Sequence, residues 1–418
     1  MQQKKFYYGW FVAMASALGI ASSIGAFVAA TIGLLIGPLG AEYGWTKTQI
    51  VLAPSWATGA TILVAPFLGS LVDKFGARRI IGISFVIEAI IIASFYFIND
   101  SLPQFYARYF LFAILATGTT AIAFAKLIAR WFDKRRGLAM GIVLAGQGLG
   151  SFVWLRATQW LIDMHGWRET CLYLAAYVAL VALPIIMLVV RESPQSIGLN
   201  VDGVSDVDAA INTPAARELT GQTRAEAMRI PQFWLIAITN LLLGFGMNAV
   251  IINAVPIMTT QGATVQTAAA VVSTLFLALV VGRISSGWFM DRFFAPHVAI
   301  GYLLLPIIGV TVLSQNASGL NAYIGVMLVG LATGAEVDVI AYVTSRYFGL
   351  KQYSAIYAVY YSMFNIGSAV GPVVVSGMAE SQGSYAQPLY LVVGIIAVCC
   401  VLFYSFRPFP AQYVAAEK

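Results

Sequence analysis

The amino-acid sequence predicts an all-α membrane protein with twelve transmembrane helices arranged as two six-helix bundles. Hydrophobic residues make up 60% of the 418-residue chain, charged residues 10%, and the mean hydropathy is +0.82. An ordinary soluble domain is about half apolar and about a quarter charged. The apolar residues also fall in long runs, and a helix needs about 20 of them to cross a bilayer. A chain of this length therefore has room for a dozen spans.

Twelve apolar runs are long enough to cross a membrane as helices that satisfy their own backbone hydrogen bonds. The first run follows Lys4 and Lys5 but is too long for a cleaved secretion signal, so we interpret it as a retained span. The predicted spans are 10–34, 46–71, 78–99, 104–131, 137–162, 167–190, 231–260, 265–290, 297–315, 320–347, 352–380 and 384–406.

Basic residues alternate between the connecting segments, and this asymmetry predicts the orientation of the chain. The termini and the loops after even-numbered spans hold most of the Lys and Arg, whereas the opposite loops and helix ends hold only Lys47, Arg108 and Arg168. Because basic loops stay on the cytoplasmic side, we expect both termini in the cytoplasm. The net charge of +6 then reflects topology, and we expect no nucleic-acid partner.

Residue patterns that would indicate an enzyme or a metal protein are absent from the sequence. Cys171, Cys399 and Cys400 have no metal-ligand spacing with the two histidines. No phosphate-binding loop or nucleophile motif occurs, and no His, Cys and Ser constellation is visible. We therefore expect no metal, no cofactor and no enzymatic activity.

Two halves of the chain carry the same short motifs, which indicates an internal duplication. The segment between the halves is rich in charged and small residues. We predict an N-terminal six-helix bundle over 1–190, a cytoplasmic linker over 191–230 and a C-terminal six-helix bundle over 231–418. The matching pairs are Gly69 with Gly287, Asp73 with Asp291, Arg130 with Arg346, Gly150 with Gly367 and Ser151 with Ser368.

The loop after the second span resembles the corresponding loop of the major facilitator superfamily, which reads G-x3-D-(R/K)-x-G-x-R-(R/K). Here the loop has Gly69, Asp73, Lys74, Gly76, Arg78 and Arg79. The resemblance implies that this cluster braces a conformational change on the cytoplasmic side and does not bind substrate. The residues expected in that role are Asp73, Arg78, Arg130, Asp291 and Arg346.

A narrower resemblance covers the segment WFDKRRGLAMGIVLAG, Trp131 to Gly146. It is similar to the signature of the monocarboxylate transporters and the bacterial oxalate/formate antiporters, as are Tyr8-Gly9-Trp10 and the loop from Gly37 to Ile50. The resemblance implies a secondary transporter of small organic anions that works by alternating access. We expect such a protein in the inner (cytoplasmic) membrane of a bacterium, as a monomer.

Six charged residues lie toward the middle of the predicted spans, where each is a functional candidate because burial in lipid is costly. Arg283 is about 10 Å by helical rise from Met290, too deep to reach the headgroups easily. Monocarboxylate transporters carry a substrate-binding arginine in this span, in the pattern R-x-x-x-G that Arg283 and Gly287 match. A guanidinium suits both oxygens of a carboxylate, although a structural ion pair is the alternative. The six are Glu88, Lys126, Arg156, Arg283, Glu336 and Asp338.

The family resemblance also implies a carboxylate four residues before the arginine, but Leu279 occupies that position here. Glu336 and Asp338 in the tenth span are the candidates to replace it as proton-coupling groups. They lie about 200° apart on a helix, so at most one points directly at Arg283. A substrate anion would displace this carboxylate, which then gains a proton. Exchange without a net proton is the competing mechanism.

Further polar residues of the spans are candidates for substrate contact, with packing as the alternative for each. Arg156 could serve structure or an entry gate, and for Glu88 we favour a contact between helices. Besides Arg283, the substrate-binding candidates are Tyr361, Asn365, Tyr357, Lys126, Gln147, Asn248 and Thr119.

The function that these residues predict is proton symport of a small monocarboxylate resembling lactate or pyruvate. An aromatic or hydroxy-acid symporter fits the tyrosines of the eleventh span, and a carboxylate exchanger fits the antiporter resemblance. Drug export would leave Arg283 without a purpose. A membrane sensor that does not transport is the alternative from another class. The expected partners are a small carboxylate, protons and the lipid bilayer.

Overall fold

A computed structural model describes residues 7–203, 220–315 and 318–410. Part of the predicted linker, and Lys4 and Lys5 among the residues that predict orientation, lie outside the described residues. The helices are α1 (Gly9–Ala21), α2 (Ile24–Tyr43), α3 (Lys47–Phe75), α4 (Ala77–Ser94), α5 (Leu102–Leu115), α6 (Ala121–Trp131), α7 (Arg136–His165), α8 (Trp167–Tyr177), α9 (Leu183–Val189), α10 (Arg224–Ala227), α11 (Pro231–Thr260), α12 (Val265–Met290), α13 (Ala295–Ser314), α14 (Leu320–Phe348), α15 (Tyr353–Gln382) and α16 (Ala386–Tyr404).

Eleven helical spans of the described residues are long and apolar enough to cross a membrane, and the bent pair α5 and α6 makes a twelfth. The first span contains α1 and α2, and the sixth continues from α8 through a π-helical turn into α9. The structure therefore confirms the predicted all-α membrane fold. The orientation of the termini stays a prediction.

The fourth span is broken, so the prediction of a continuous helix over 104–131 is wrong at its centre. Helices α5 and α6 meet at 52° across a 3-10 turn of Thr117–Thr119. The hydroxyl of Thr119 donates to Ala116 O at 2.8 Å, and that of Thr120 donates to Thr117 O at 2.7 Å. Threonine side chains compete in this way for helix backbone groups, and here they stabilise the break.

The first span also contains a break and is longer than the predicted range 10–34. Helix α1 ends at Ala21 and α2 begins at Ile24, with Ser23 in extended backbone between them. The Ser23 hydroxyl donates to Ile20 O at 2.7 Å. It thus takes a carbonyl that the interrupted helix leaves open.

The chain forms two compact units, each described here by itself. The N-terminal unit comprises Met1–Asp133, Ile142–Leu219 and Gln352–Ala358, and the C-terminal unit comprises Lys134–Gly141, Thr220–Lys351 and Val359–Lys418. The start of α7 is thus counted in the C-terminal unit, and the start of α15 in the N-terminal unit. The domain boundaries predicted from sequence, at residues 190 and 231, stay a prediction.

Within the C-terminal unit, α14 is the central helix and packs against α12 and α13. Small residues allow α12 and α14 to approach closely. A Cβ atom at Gly334 would collide with Leu279 O, and one at Gly282 would collide with Leu331 O. This close contact brings the middle of α12, which carries Arg283, against the middle of α14.

Substitution of Gly367 in α15 tests whether such close approaches of two helices stabilise the protein. A Cβ atom there would collide with Leu241 O of α11, whereas Gly377, in the same helix, has open space around it. We expect Gly367→Ala to lower the free energy of unfolding by about 1–3 kcal/mol because the backbones must separate. Gly377→Ala should leave it within about 0.5 kcal/mol. Thermal melting in detergent measures both, and equal melting temperatures would contradict the packing argument.

Candidate functional site

Three ionisable residues predicted from the sequence come together in the C-terminal unit. Arg283 on α12 is 7% exposed, and its charge acts on both Glu336 and Asp338 of α14. The backbones of the two helices touch here, because a Cβ atom at Gly334 would lie 2.6 Å from Arg283 N. We call Arg283, Glu336 and Asp338 the charge cluster.

Asp338 has the less solvated carboxyl of the two. It is 0% exposed, and neither of its oxygens has a hydrogen-bond partner among the residues that the structure describes. It faces the start of α7, since a Cβ atom at Gly141 would lie 3.5 Å from Asp338 Oδ2. An ionised carboxylate without donors is strongly disfavoured in an apolar interior.

Glu336 lies on a different side of α14 and borders an enclosed cavity inside the C-terminal unit. The cavity has space for about one water molecule. Its lining is apolar except for Glu336 and Tyr302, whose hydroxyl forms a 2.6 Å hydrogen bond with Ser285. One oxygen of Glu336, Oε2, has no protein hydrogen-bond partner within the described ranges. The sequence did not indicate Tyr302, because a lone tyrosine in an apolar run has no distinguishing pattern.

Two other polar candidates of the C-terminal unit form hydrogen bonds within that unit. Asn248 donates to Ser368 Oγ at 2.9 Å, and Asn365 donates to the backbone oxygen of Tyr361 at 2.7 Å. Tyr361 and Asn365 are half-buried. Their role in substrate contact stays a prediction.

Two candidates of the N-terminal unit are engaged in packing or backbone contacts. The ring of Tyr357 is buried and stacks on Tyr353 with a centroid distance of 5.8 Å. Thr119, besides donating to Ala116 O, accepts from Ile24 N at 3.3 Å. These contacts give both residues structural roles, and the substrate contacts predicted for them stay predictions. Gln147 is exposed beside Gly25 and keeps its predicted role as a candidate.

The ammonium of Lys126 forms a buried ion pair. Its Nζ lies 2.7 Å from Asp73 Oδ1, and both side chains are less than a tenth exposed. It also donates to Val72 O at 3.2 Å. Lys126 thus contacts Asp73, one of the predicted conformational residues, and its substrate contact stays a prediction.

Asp73 and Asp291, which the duplication pairs, make the same kind of contact in their separate units. Asp73 accepts from the N–H groups of Ser354 and Ala355, at 3.2 and 2.8 Å, at the start of α15. A carboxylate is favourable there because a helix N-terminus carries unsatisfied N–H groups and a partial positive charge.

Asp291 makes the equivalent contact at the start of α7. It accepts from Gly137 N at 2.7 Å and Leu138 N at 2.9 Å. Burial raises the pKa of the Asp291 carboxyl to about 6, while these N–H groups and the charges of Arg346 and Arg136 oppose that rise.

Glu192 is a residue of this kind that the sequence analysis missed. It accepts from Arg130 Nη1 at 2.7 Å and from the N–H groups of Ala77 and Arg78, at 3.2 and 2.9 Å. Arg78 in turn donates to Met187 O at 2.6 Å. Glu192 thus caps α4 and pairs with Arg130. A single acid just after the sixth span is the only signal of it in the sequence.

A family model described as "Major Facilitator Superfamily" matches residues 10–335 and 236–417 of the chain. A relative named "Monocarboxylate transporter 12", from Xenopus laevis, is 24% identical over 294 residues, which are 66% of this chain and 62% of that protein. The chain thus matches less than two thirds of that relative's length. An "Uncharacterized MFS-type transporter YhjX" from Escherichia coli is 22% identical over 349 residues, 81% of each chain.

The fold resembles that of the E. coli fucose:proton symporter FucP, with a TM-score of 0.68 at 15% sequence identity. The match covers 94% of this chain and 97% of FucP. These comparisons confirm the resemblances that the sequence motifs indicated.

The buried pair of Lys126 and Asp73 should couple strongly in a double-mutant cycle. Lys126→Met and Asp73→Asn each leave a charge buried without its partner, so each should lower the free energy of unfolding by about 3 kcal/mol. The double variant should lose clearly less than the sum. The more exposed pair of Arg168 and Glu42, 2.6 Å apart, is the control and should couple by less than about 1 kcal/mol. Additive losses at Lys126 and Asp73 would contradict the pairing.

Proposed function

Since this chain belongs to the Major Facilitator Superfamily and is a multi-pass membrane protein, we propose that it is a secondary active transporter of a small organic carboxylate, moved together with a proton. The relatives named monocarboxylate transporter 12 support this substrate class. The size we propose is that of lactate or pyruvate. We also propose the inner membrane of a bacterium as the location, a monomeric state, and cytoplasmic termini on the basis of the basic loops.

The charge cluster carries the proposal. A buried guanidinium is stable only with an anion nearby, and Arg283 has two carboxyl groups within electrostatic reach. Its planar fork binds both oxygens of a carboxylate. A cationic or neutral substrate would gain nothing from this arginine, so the cluster favours an organic anion.

Charge balance within the cluster links the anion to a proton. When all three groups are ionised, one arginine and two carboxylates leave one excess negative charge, which a proton on Asp338 removes. This is the carboxyl without any donor, so it remains neutral. Glu336 then balances Arg283. A substrate carboxylate that takes Arg283 releases Glu336, and Glu336 gains a proton because its partner is gone.

Glu336 also has space beside it for a water molecule that could supply the proton. It borders the cavity that has space for about one water molecule, whereas neither oxygen of Asp338 has a hydrogen-bond partner among the described residues. We therefore assign the coupling proton to Glu336, and a permanent proton to Asp338. Exchange of carboxylates without a net proton is the alternative, in which Glu336 stays ionised throughout.

The substrate class is tested by thermal stabilisation of the purified protein with mono-, di- and aromatic carboxylates. One class should raise the melting temperature of the wild type, and Arg283→Lys should abolish the shift because an ammonium cannot form the two-pronged contact. Arg292→Lys is the matched control, since Arg292 is exposed and covers the ring of Trp288. The proposed substrate class would be excluded if no carboxylate raises the melting temperature of the wild type. It would also be excluded if the shift survives in Arg283→Lys.

The assignment of the proton is tested in liposomes by comparing two isosteric variants. A gradient of about one pH unit supports about tenfold accumulation by a one-proton symporter. We expect Glu336→Gln to lose that accumulation but to retain exchange of carboxylate across the membrane. Asp338→Asn should keep both, because an amide replaces a carboxyl that stays neutral. The reverse outcome would assign the coupling proton to Asp338.

A further inference from the structure

A further buried acid, Glu88 on α4, lies in the N-terminal unit and has no part in the charge cluster. It is 0% exposed, and neither of its oxygens accepts a hydrogen bond within the part of the chain that the structure describes. An ionised carboxylate in that position would be strongly disfavoured. Its surroundings therefore determine which form it takes.

The break in the fourth span packs against the face of α4 that carries Glu88. Ser84 and Glu88 are four residues apart and share that face. A Cβ atom at Gly118, in the middle of the 3-10 turn, would collide with Ser84 Oγ. The next residue of the turn, Thr119, has its hydroxyl beside the Glu88 carboxyl.

The hydroxyl of Thr119 has no proton left to offer to Glu88. Its single O–H donates to Ala116 O, and one of its lone pairs accepts from Ile24 N. A hydroxyl has one donor and two acceptor positions, so only an acceptor position remains. A carboxylate, which only accepts, cannot bond to it, whereas a protonated carboxyl can donate to it.

Three of the cations on the neighbouring elements have other partners. Helix α4 packs against α3, α5, α6, α8 and α9, the turns at 95–97 and 117–119, and the π-helical turn. None of their charged groups has an electrostatic effect on Glu88 among the described residues. The carboxyl is influenced by its burial and by Thr119. The titratable and charged residues of these elements and of α4 itself are Lys47, Asp73, Lys74, Arg78, Arg79, Tyr96, Tyr106, Arg108, Tyr109, Lys126, Arg130, Arg168, Glu169, Cys171, Tyr173 and Tyr177.

Three cations of these elements form ion pairs with other acids of the same unit. Lys126 pairs with Asp73, Arg130 with Glu192, and Arg168 with Glu42. Within the described residues, no cation therefore pairs with Glu88 to hold it in its ionised form.

We propose that Glu88 is a proton-binding site of the N-terminal unit. Its protonated carboxyl donates a hydrogen bond to Thr119 and thereby holds the breaks of the first and fourth spans together. Thr119 bonds to the first residue of α2 and to the residue that precedes the 3-10 turn, so it joins the two breaks directly. Loss of the proton to water leaves a carboxylate that needs hydration. Water reaches it most easily where the helices are already interrupted.

The protonation state is measured by infrared spectroscopy of the purified full-length protein at neutral pH. The carbonyl stretch of a protonated carboxylic acid should lose one component in Glu88→Gln. It should be unchanged in Glu380→Gln, the same substitution at an exposed position of α15. Thr119→Val keeps Glu88 and should shift the component, because its hydrogen-bond acceptor is gone. Identical spectra for Glu88→Gln and the wild type would show that Glu88 is ionised and would overturn the proposal.

The link to the helix breaks is measured by amide hydrogen exchange as the pH is raised. After correction for base catalysis, peptides over 21–26 and 115–121 should open about tenfold more per pH unit in the wild type, the dependence expected for loss of one proton. They should not do so in Glu88→Gln, and a peptide within α13 should respond in neither. Equal opening in wild type and Glu88→Gln would overturn the coupling. Neither measurement needs a substrate, so a failure here is distinct from a failure of the carboxylate assignment.

Discussion

The hydrocarbon of a bilayer offers no hydrogen-bond partners, so each polar group within a span depends on the protein itself. Most polar side chains of the described spans meet this constraint. Asn253 is an example, because its Oδ1 accepts from Ser376 and Tyr385 while its Nδ2 donates to Ala249 O. The carboxyl groups of Glu88, Glu336 and Asp338 meet it only in part. A proton is the smallest partner that satisfies a buried carboxyl. The proton-binding sites proposed for this protein are therefore these acids.

The sequence predicts the fold and the charge cluster for the same physical reason. Run length decides whether a helix crosses a bilayer, and a charge inside such a run is costly enough to identify Arg283, Glu336 and Asp338 as candidates. The two acids are two residues apart on α14, so their separation around the helix also follows from sequence. Which of them borders the cavity does not, because the position of Tyr302 depends on how α13 packs against α14.

Other features depend on choices that the sequence leaves open. The hydroxyls of Thr119 and Thr120 break the fourth span by taking backbone carbonyls, but threonine also occurs in continuous helices, where it bonds in the same way. Lys126 lies close enough to the end of its span to reach the interface, and only the tertiary structure shows that it pairs with Asp73. Glu192 lacks any periodic pattern. Such pairings are decided between helices distant in sequence, and no local signal records them.

Calorimetric titration measures whether the protein takes up a proton when it binds the anion. The purified protein would be titrated with a stabilising carboxylate in two buffers of equal pH but different ionisation enthalpy. The difference in heat gives the number of protons taken up per anion bound. We expect uptake of about one proton per carboxylate, because Glu336 is released from Arg283. Binding of a carboxylate without any proton uptake would contradict it.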